Sequence, residues 1–427
     1  MNFLLSAGEA SGDTYGAQLI EALRELAPSP RDAQNQRASG TPISGSTFFG
    51  MGGEKMRAAG AELLVHANEV AVVGLVEVVR HLPDIRRRFR HLVAEAARRK
   101  PDAAILIDFP DFNLRLAREL HRLGIPVFYF VSPQIWAWRT GRVQQIRKYV
   151  RKMIVIFPFE QEFYARHGVE VSYVGHPLAY VPPPQISREE FAARHGLDLQ
   201  KQWIALLPGS RRKEVRLNLP AMVEAARLLQ RQSAEFEFLL PVASTLSPGW
   251  LREQIALSTA GWSRPSGLRK EPHKNPALAT GVSNRQEEQD LPIHLIDNAR
   301  ATLMHARAAV VASGTATVEA ALSGTPFIVV YRLAPLTWIL GRRLVKLDTF
   351  AMPNLISGKK IVPELIQKNF TAQNVLKELN AIIQDGPARQ QMGADLKMVQ
   401  QRLRDSQHTN SPAQRAAREI QGALITA

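Results

Sequence analysis

The stretch 306–331, ARAAVVASGTATVEAALSGTPFIVVY, decides the fold class of this chain. Residues 308–312 form a short apolar run of strand length, and residues 327–331 form a second run of β-branched and aromatic side chains. The segment between them, 316–322, predicts a short helix that ends before Pro326. Because a strand, a tight turn, a helix and a second strand make a βαβ unit, we expect the two strands to be parallel and adjacent.

The turn between the first strand and this helix, Ser313-Gly314-Thr315, is a candidate phosphate site. Its unpaired amides and the positive end of the helix dipole would face the ligand, and Gly314 would let the backbone approach it closely. Glu319 lies one turn into the helix, within reach of a ribose hydroxyl. Ser-Gly-Thr is also a common helix N-cap, so a purely structural role stays open at this point.

The same alternation of strands and helices occurs on both sides of a proline-rich linker, 178–187, and 427 residues suffice for two domains. We therefore predict an α/β protein with two doubly wound, Rossmann-like domains, 1–180 and 187–390. The polar segment 248–290 is predicted to be an insertion in the second domain. The residues from about 390 to 427 are predicted to be helical and to join the first domain.

The first domain opens with a strand at 2–6, a glycine-containing loop and a helix that extends to about residue 26. The loop contains Gly8, Glu9, Ser11, Gly12 and Asp13. Its two glycines do not form the dinucleotide pattern G-x-G-x-x-G, so a hydride-transfer cofactor is poorly supported and no cofactor is expected.

A second candidate loop follows the apolar strand 102–108, which ends in Asp108. The carboxyl ends of parallel strands line the ligand crevice of an open sheet, so Asp108 is expected where chemistry occurs, with Asp111 and Asn113 nearby. Asp111 has a structural alternative as a helix cap, and Glu9 has one as a stabiliser of the first helix.

In the second domain, Pro208-Gly209-Ser210-Arg211 follows a predicted strand and adds a guanidinium to the Ser-Gly-Thr turn. An arginine and backbone amides suit a nucleotide diphosphate, and a carboxylate opposite them could take a proton from an attacking hydroxyl. This set predicts glycosyl transfer from a nucleotide sugar. The chain lacks metal-ligand spacings such as H-E-x-x-H, and no metal is expected. Residues 352–354 are predicted to be a loop, and 364–383 a helix.

Composition narrows the class of protein further. There is no cysteine, which excludes disulfides and thiol chemistry, and there is no apolar run of about 20 residues or signal-peptide pattern, so a cytoplasmic location is expected. The formal charge is +15, with eight Lys or Arg against two acids in 80–100 and six against none in 139–152. Such clusters suit nucleic acid, an anionic membrane or phosphorylated substrates. No nucleic-acid-binding module is evident, so we expect no nucleic-acid partner.

The segment 70–79 is unusually apolar and is followed by four arginines. It is either a buried core helix or an exposed apolar surface beside positive charge, as in peripheral membrane proteins. The residues of this candidate membrane patch are Val70, Val72, Val73, Leu75, Val76 and Val79.

Seven motifs, in order along nearly the whole chain, closely resemble the lipid-A-disaccharide synthase family. They are GEASGD at 8–13, VGLVEV at 73–78, IDFPDFN at 107–113, VSPQIWAW at 131–138, LPGSR at 207–211, ASGTATVE at 312–319 and PNL at 353–355. The segments 28–46 and 248–290 are longer than expected for the family.

The resemblance implies a GT-B glycosyltransferase, with two domains facing across a cleft, that works with inversion and without metal. It would join UDP-2,3-diacylglucosamine to 2,3-diacylglucosamine 1-phosphate (lipid X) through a β-1,6 link, giving lipid A disaccharide 1-phosphate and UDP. Asp108 matches the proposed general base, and Glu9 is a further catalytic candidate. Arg211 matches the arginine of Pro-Gly-Ser-Arg and Asn354 the asparagine of Pro-Asn-Leu, and both are expected to bind the donor. The loops 8–13 and 107–113 are expected to bind the acceptor. The resemblance also implies peripheral association with the anionic inner membrane, which favours the exposed alternative for 70–79.

Other functions remain open on the sequence. Another GT-B enzyme, acting on undecaprenyl-linked sugars, would share the donor domain, but the acceptor loops 8–13 and 107–113 argue against it. A UDP-sugar epimerase would need no lipid contact. A non-catalytic basic binding module is a third alternative. His176 is expected to be an ordinary turn histidine and Arg332 an ion-pair partner. The sequence does not decide whether the chain forms a homodimer, nor whether its C-terminal helices pack on their own first domain or on that of a partner.

Overall fold

The computed structural model describes residues 1–26, 45–70, 75–137, 140–260, 291–333, 349–404 and 409–425, with the backbone alone at 75–81, 140 and 260. These residues divide into two compact units. Unit 1 contains Met1–Val181 and the C-terminal Gln400–Ala427, and unit 2 contains Pro182–Gly341 and Asp348–Val399.

Unit 1 is built on a parallel sheet that has seven strands among the described residues, in the order β3-β2-β1-β4-β5-β6-β7. Its central strands are apolar and fully buried, as expected for a sheet covered on both faces. The strands are β1 Asn2–Ala7, β2 Thr47–Gly52, β3 Glu62–His66, β4 Ala103–Ile107, β5 Val127–Phe130, β6 Lys152–Val155 and β7 Val171–Tyr173.

Helices cover this sheet, and the last helix of the chain packs against the first. The helices of unit 1 are α1 Ala10–Glu25, α2 Glu54–Ala58, α3 Leu75–Arg99, α4 Pro110–Arg122, α5 Val143–Tyr149 and α6 Pro158–Arg166, with short 3-10 helices at Ala67–Glu69, Thr140–Arg142 and Pro177–Tyr180. The last helix, Pro412–Ile425, is held at the sheet edge through Glu419, which lies 2.7 Å from Lys152 Nζ and accepts a hydrogen bond from Ser172.

Unit 2 repeats the plan with a parallel sheet of six described strands, in the order β10-β9-β8-β11-β12-β13. These are β8 Gln202–Leu207, β9 Phe236–Pro241, β10 Ile293–Ile296, β11 Ala308–Ala312, β12 Phe327–Tyr331 and β13 Glu364–Ile366. The helices of unit 2 are α7 Arg188–His195, α8 Arg212–Gln232, α9 Pro248–Ala260, α10 Ala299–His305, α11 Thr315–Ser323, α12 Met352–Ser357, α13 Ala372–Ile383 and α14 Pro387–Arg404, with a short 3-10 helix at Gln367–Asn369. The last turn of α14 already belongs to unit 1. The final helix, Pro412–Ile425, is α15 and belongs to unit 1.

The predicted βαβ unit is confirmed. The strands β11 and β12 are parallel neighbours, with Ala309 opposite Phe327, and α11 connects them. The prediction of two doubly wound α/β sheets is also confirmed.

The strand orders place a topological switch point in each sheet. In unit 1 the chain proceeds outward from β1 to β3 and then returns to the other side of β1 as β4. In unit 2 the same reversal occurs between β8 and β11. Ligands of open α/β sheets bind at such points, outside the carboxyl ends of the strands, because neighbouring loops diverge there.

Two local predictions are wrong. Residues 352–354 begin the helix α12 and are not a loop. Residues 364–366 form β13 and not the start of a helix, because they pair with the edge of β12. The helix predicted from 364 begins only at Ala372.

The candidate membrane patch is corrected at Val70, which is 4% exposed and belongs to the core of unit 1. Val72 and Val73 lie outside the described residues, as do the side chains of Leu75, Val76 and Val79. Of the two long polar segments, 28–46 and 248–290, residues 28–44 and 261–290 are likewise outside the described residues, and α9 occupies the start of the second segment. No helix in the described part of the chain is both long and apolar enough to span a bilayer.

Candidate functional site

The loop after β4 places Asp108 at the switch point of unit 1. Asp108 and Phe109 both have left-handed backbones, with φ of 46° and 50°, which non-glycine residues rarely adopt. This conformation ends β4 abruptly, and Pro110 starts α4 without a connecting loop. Backbone strain of this kind concentrates at functional sites, where surrounding contacts hold it in place.

The loop after β1 packs directly on this turn. A Cβ added to Gly8 would lie 2.3 Å from the ring of Phe109, so only glycine allows this approach. The two switch-point loops of unit 1 therefore form one continuous surface that contains Glu9 and Asp108.

Burial, together with the negative charge of Glu9, raises the pKa of Asp108 to about 6, against the lowering effect of a hydrogen bond from the Phe109 amide. Glu9 is exposed and occupies the N-cap position of α1, but its side chain makes no capping hydrogen bond. Asp108 is therefore a carboxyl group poised to exchange a proton near neutral pH.

The acceptor-side prediction is corrected at Asp13. Its buried carboxylate accepts hydrogen bonds from the backbone amides of Gly53, Lys55 and Met56, at 2.7, 3.1 and 3.1 Å. It caps α2, whose first amides need an acceptor, and three hydrogen bonds within the protein already occupy it. Gly12 is likewise buried, and a Cβ added to it would lie 3.3 Å from the Cβ of Ala7.

The prediction is also corrected at Asn113, which is fully buried. Its Nδ2 donates to the carbonyl oxygens of Ser6, Ile107 and Asp108 at 3.1, 3.2 and 2.8 Å, and its Oδ1 accepts from the Ser6 hydroxyl at 2.6 Å. All of its polar atoms are therefore used to join the two loops.

Exposed polar groups remain at Ser11 and Asp111. The Asp111 carboxylate is ion-paired with Arg142. These two side chains stay candidates for acceptor contacts.

In unit 2, the loop Pro208–Arg211 after β8 is shaped by Glu214. The Glu214 carboxylate accepts hydrogen bonds from the amides of Ser210 and Arg211 at 3.0 and 3.2 Å. It also lies close to Gly209, where φ is 120° and an added Cβ would be 2.5 Å from the carboxylate oxygen. Arg211 Nη1 is 3.5 Å from the same carboxylate, and the Arg211 side chain is 64% exposed. The guanidinium is therefore tethered near the switch point and still faces solvent.

The loop after β11 brings Ser313, Gly314 and Thr315 to the other side of this switch point. Gly314 and Thr315 are exposed, and a Cβ on Gly314 would meet no atom within 4 Å. The turn is held from beneath, since the Thr317 hydroxyl donates to the Gly314 carbonyl at 2.7 Å. Glu319 is partly buried, which raises its pKa. The backbone here is open to an anion.

The prediction that Asn354 binds the donor is also corrected, because this residue is only 1% exposed. Its Nδ2 donates to Val362 O and Glu364 Oε1 at 3.0 and 2.7 Å, and its Oδ1 accepts from the amides of Ile361 and Val362 at 2.7 and 2.9 Å. Asn354 therefore ties α12 to β13 and has no group left for a ligand.

Two further predictions concern single residues. His176 is buried, which lowers its pKa to about 3, and its Nδ1 accepts from the Leu178 amide at 3.2 Å, as expected of a turn histidine. Arg332 contacts Phe370: its guanidinium donates to the Phe370 carbonyl and lies 4.8 Å from that ring, and no ion pair of Arg332 is present among the described residues.

Sequence reasoning missed Tyr129 and Glu214. The Tyr129 hydroxyl donates to the Asp108 carbonyl at 2.6 Å, but nothing distinguishes Tyr129 from its apolar neighbours in β5. Glu214 could have been found, because a glutamate three residues after the N-cap position is the mark of a capping box. Among the described side chains, no three His, Asp or Glu residues lie close enough together to hold a metal ion.

Comparison with known proteins identifies the family. A sequence model described as Lipid-A-disaccharide synthetase matches residues 3–257 and 276–419. This chain belongs to the lipid-A-disaccharide synthase family. It is therefore a glycosyltransferase of lipid A biosynthesis. The unmatched residues between the two blocks fall inside the predicted insertion.

Relatives in the lipid-A-disaccharide synthase family match nearly the full chain. The lipid-A-disaccharide synthase of Koribacter versatilis is 50% identical over 420 residues, covering 98% of each protein. That of Acidobacterium capsulatum is 48% identical, covering 94% of this chain and 92% of the relative.

Solved structures share the fold at low identity. A glycotransferase of kitacinnamycin aligns with a TM-score of 0.58 at 14% identity, covering 99% of this chain and 98% of that one. The UDP-GlcNAc 2-epimerase of Neisseria meningitidis aligns with a TM-score of 0.55 at 11% identity, covering both chains fully. These likenesses confirm the GT-B fold class. They do not distinguish a transferase from an epimerase, because both kinds of enzyme share the fold.

Proposed function

We propose that this chain condenses UDP-2,3-diacylglucosamine with lipid X to give lipid A disaccharide 1-phosphate and UDP, with inversion at the anomeric carbon. Membership of the lipid-A-disaccharide synthase family supports the reaction. The observation that carries the mechanism is Asp108, a carboxyl group in a left-handed turn at a switch point, with its pKa raised to about 6.

Asp108 acts in this proposal as the general base. Its carboxylate accepts the proton of the attacking acceptor hydroxyl while the bond to the UDP oxygen breaks. A pKa of about 6 leaves the group mostly ionised at neutral pH, yet makes it a stronger base than an exposed aspartate. The charge of Glu9 contributes to this basicity. Ser11 and Asp111 are proposed to contact the acceptor.

The diphosphate is proposed to bind across the switch point of unit 2. The amides of the open turn at Gly314 and Thr315 and the guanidinium of Arg211 stabilise the negative charge that grows on the leaving group. The Ser313 and Ser210 hydroxyls can donate to the same oxygens, and Glu319 can accept from a ribose hydroxyl.

We further propose that the protein acts at the cytoplasmic face of the inner membrane, as a peripheral protein. The exposed Arg86 and Arg90 on α3 support this, since they follow the apolar segment 75–79 and would meet anionic lipid. Assembly as a homodimer is also a proposal.

The reaction is tested by measuring UDP release from UDP-2,3-diacylglucosamine, with and without lipid X, in the presence of EDTA. The wild type should release UDP only with the acceptor, and Asp108→Ala should lose this activity while remaining folded. Release without acceptor would indicate hydrolysis or epimerisation. A folded wild type that binds UDP but does not turn over would overturn the assigned substrates.

A further inference from the structure

Tyr129 is the buried aromatic residue beneath the proposed base. It lies on β5, next to β4 in the sheet, and its side chain is fully buried. Its hydroxyl donates to the backbone carbonyl oxygen of Asp108 at 2.6 Å. The Nδ2 of Asn113, on α4, donates to the same oxygen at 2.8 Å. One carbonyl therefore receives two side-chain hydrogen bonds from two different elements.

The residue that carries this carbonyl has an unfavourable backbone conformation. Asp108 and Phe109 are left-handed, and neither is glycine, so the turn is retained only where surrounding contacts over-determine it. The Asp108 amide is used as well, since it donates to the Phe130 carbonyl at 3.2 Å. The direction in which the Asp108 carboxylate leaves the backbone follows from this fixed peptide geometry.

We propose that Tyr129 and Asn113 are positioning residues, which clamp the Asp108 carbonyl and thereby aim the Asp108 carboxylate at the acceptor hydroxyl. The proposal rests on the proposed role of Asp108 as general base. Neither side chain reaches the substrate, because both are fully buried. They act through the backbone of Asp108, which sets the position of its carboxylate. A small displacement of a reacting group lowers kcat more than it weakens substrate binding.

The charged and titratable groups around the clamp do not interfere with its test. Glu9, on the loop after β1, faces Asp108, and Tyr164, Arg142 and Asp111 lie near Tyr129. Burial raises the pKa of the Tyr129 hydroxyl well above 10, so this group remains a donor throughout the pH range of an enzyme assay.

The first variant is Tyr129→Phe, which removes one hydroxyl group and keeps the ring. We expect kcat to fall about 10- to 100-fold, with the KM of both substrates within about twofold of the wild type. If the Asp108 side chain relaxes toward solvent, the acid limb of the pH–rate profile should also move below about pH 6, toward the ordinary aspartate value of 3.8. Asn113→Ala should give the same pattern with a larger loss, and it serves as the second variant.

The matched control is Tyr173→Phe. Tyr173 lies on β7 of the same sheet, and its hydroxyl also donates to a backbone carbonyl, that of Arg402. This variant loses the same kind of hydrogen bond far from Asp108, so its kcat and acid limb should match the wild type even if its melting temperature falls. Equal kinetics for Tyr129→Phe and Tyr173→Phe would overturn the proposal.

Asp108→Asn, assayed in parallel, separates the two hypotheses. If Asp108→Asn is inactive and Tyr129→Phe keeps the wild-type kcat and acid limb, the clamp is refuted and the base remains. If Asp108→Asn retains activity, the general-base assignment fails, and the clamp fails with it.

Discussion

Asp108→Asn is expected to make this protein less active and more stable at the same time. The substitution keeps the size of the side chain and removes its charge. Burial and the charge of Glu9 raise the pKa of Asp108 from 3.8 to about 6 in the folded protein. In the unfolded chain the group returns to its ordinary value, so ionising it costs folding free energy.

The magnitude follows from the two pKa values. A difference of about 2 units, at about 1.4 kcal/mol per unit, corresponds to about 3 kcal/mol of folding free energy. Because the folded pKa is the higher one, the wild type is most stable, with respect to this group, below pH 3.8, and loses that stability as the pH rises through about 6. About half of the difference, roughly 1.5 kcal/mol, develops between pH 5 and pH 8.

Asparagine does not titrate, so the variant should escape this loss. Relative to the wild type, the free energy of unfolding of Asp108→Asn should increase by about 1.5 kcal/mol between pH 5 and pH 8. Over the same range its kcat for acceptor-dependent UDP release should be about 10²–10⁴-fold lower, because the proton acceptor is gone.

The assay is urea denaturation at several pH values, followed by tryptophan fluorescence, beside kinetics on the same preparations. Asp102→Asn is the control, since Asp102 precedes the same strand at its opposite end, where it accepts a hydrogen bond from the Asn2 amide. Its kcat should equal that of the wild type. A stability difference for Asp108→Asn that is independent of pH would refute the electrostatic reasoning, and a retained kcat would refute the catalytic role.

Three further predictions follow from single contacts. Glu9→Gln removes a negative charge beside Asp108 and should move the acid limb of the pH–rate profile below about pH 6; an unchanged limb would contradict the coupling of the two carboxyls. Asn354→Ala should lower the free energy of unfolding by about 2–4 kcal/mol in thermal or urea denaturation, because it leaves the buried amides of Ile361 and Val362 unpaired. Loss of UDP affinity with unchanged stability would instead indicate that Asn354 binds the ligand. Gly8→Ala places a Cβ 2.3 Å from the Phe109 ring and should lower kcat at least about 10-fold with a modest change in melting temperature, and a wild-type kcat would show that this packing does not hold the loop.

Local signals were sufficient for most of the central strands. The predicted strands 308–312 and 327–331 have the observed bounds, because each is a short apolar run enclosed by glycine, proline or polar residues. By contrast, β13 is only three residues long and is a strand because β12 offers it a free edge. No local pattern in Glu364–Ile366 indicates that edge.

The candidate site shows the same division. The motifs predicted the loops that contain the candidate site. Gly209 and Gly314 have a positive φ that favours glycine, and at Gly8 the Phe109 ring leaves no room for a Cβ. The motifs did not separate side chains that face a ligand from those that hold the loops. Both kinds are polar, and they lie side by side within the same motifs.

The sequence by itself determined the two α/β sheets, the family and the loops at the strand ends, because hydrophobic periodicity and motif spacing are local properties of the chain. Only the tertiary structure decided that Asp13, Asn113 and Asn354 are buried supports and that Tyr129 contacts Asp108. The physical reason is that burial and hydrogen-bond partners depend on residues distant in sequence. Asn113 meets Ser6 from 107 positions away, and it is the packing of β1 against β4 that brings the two together.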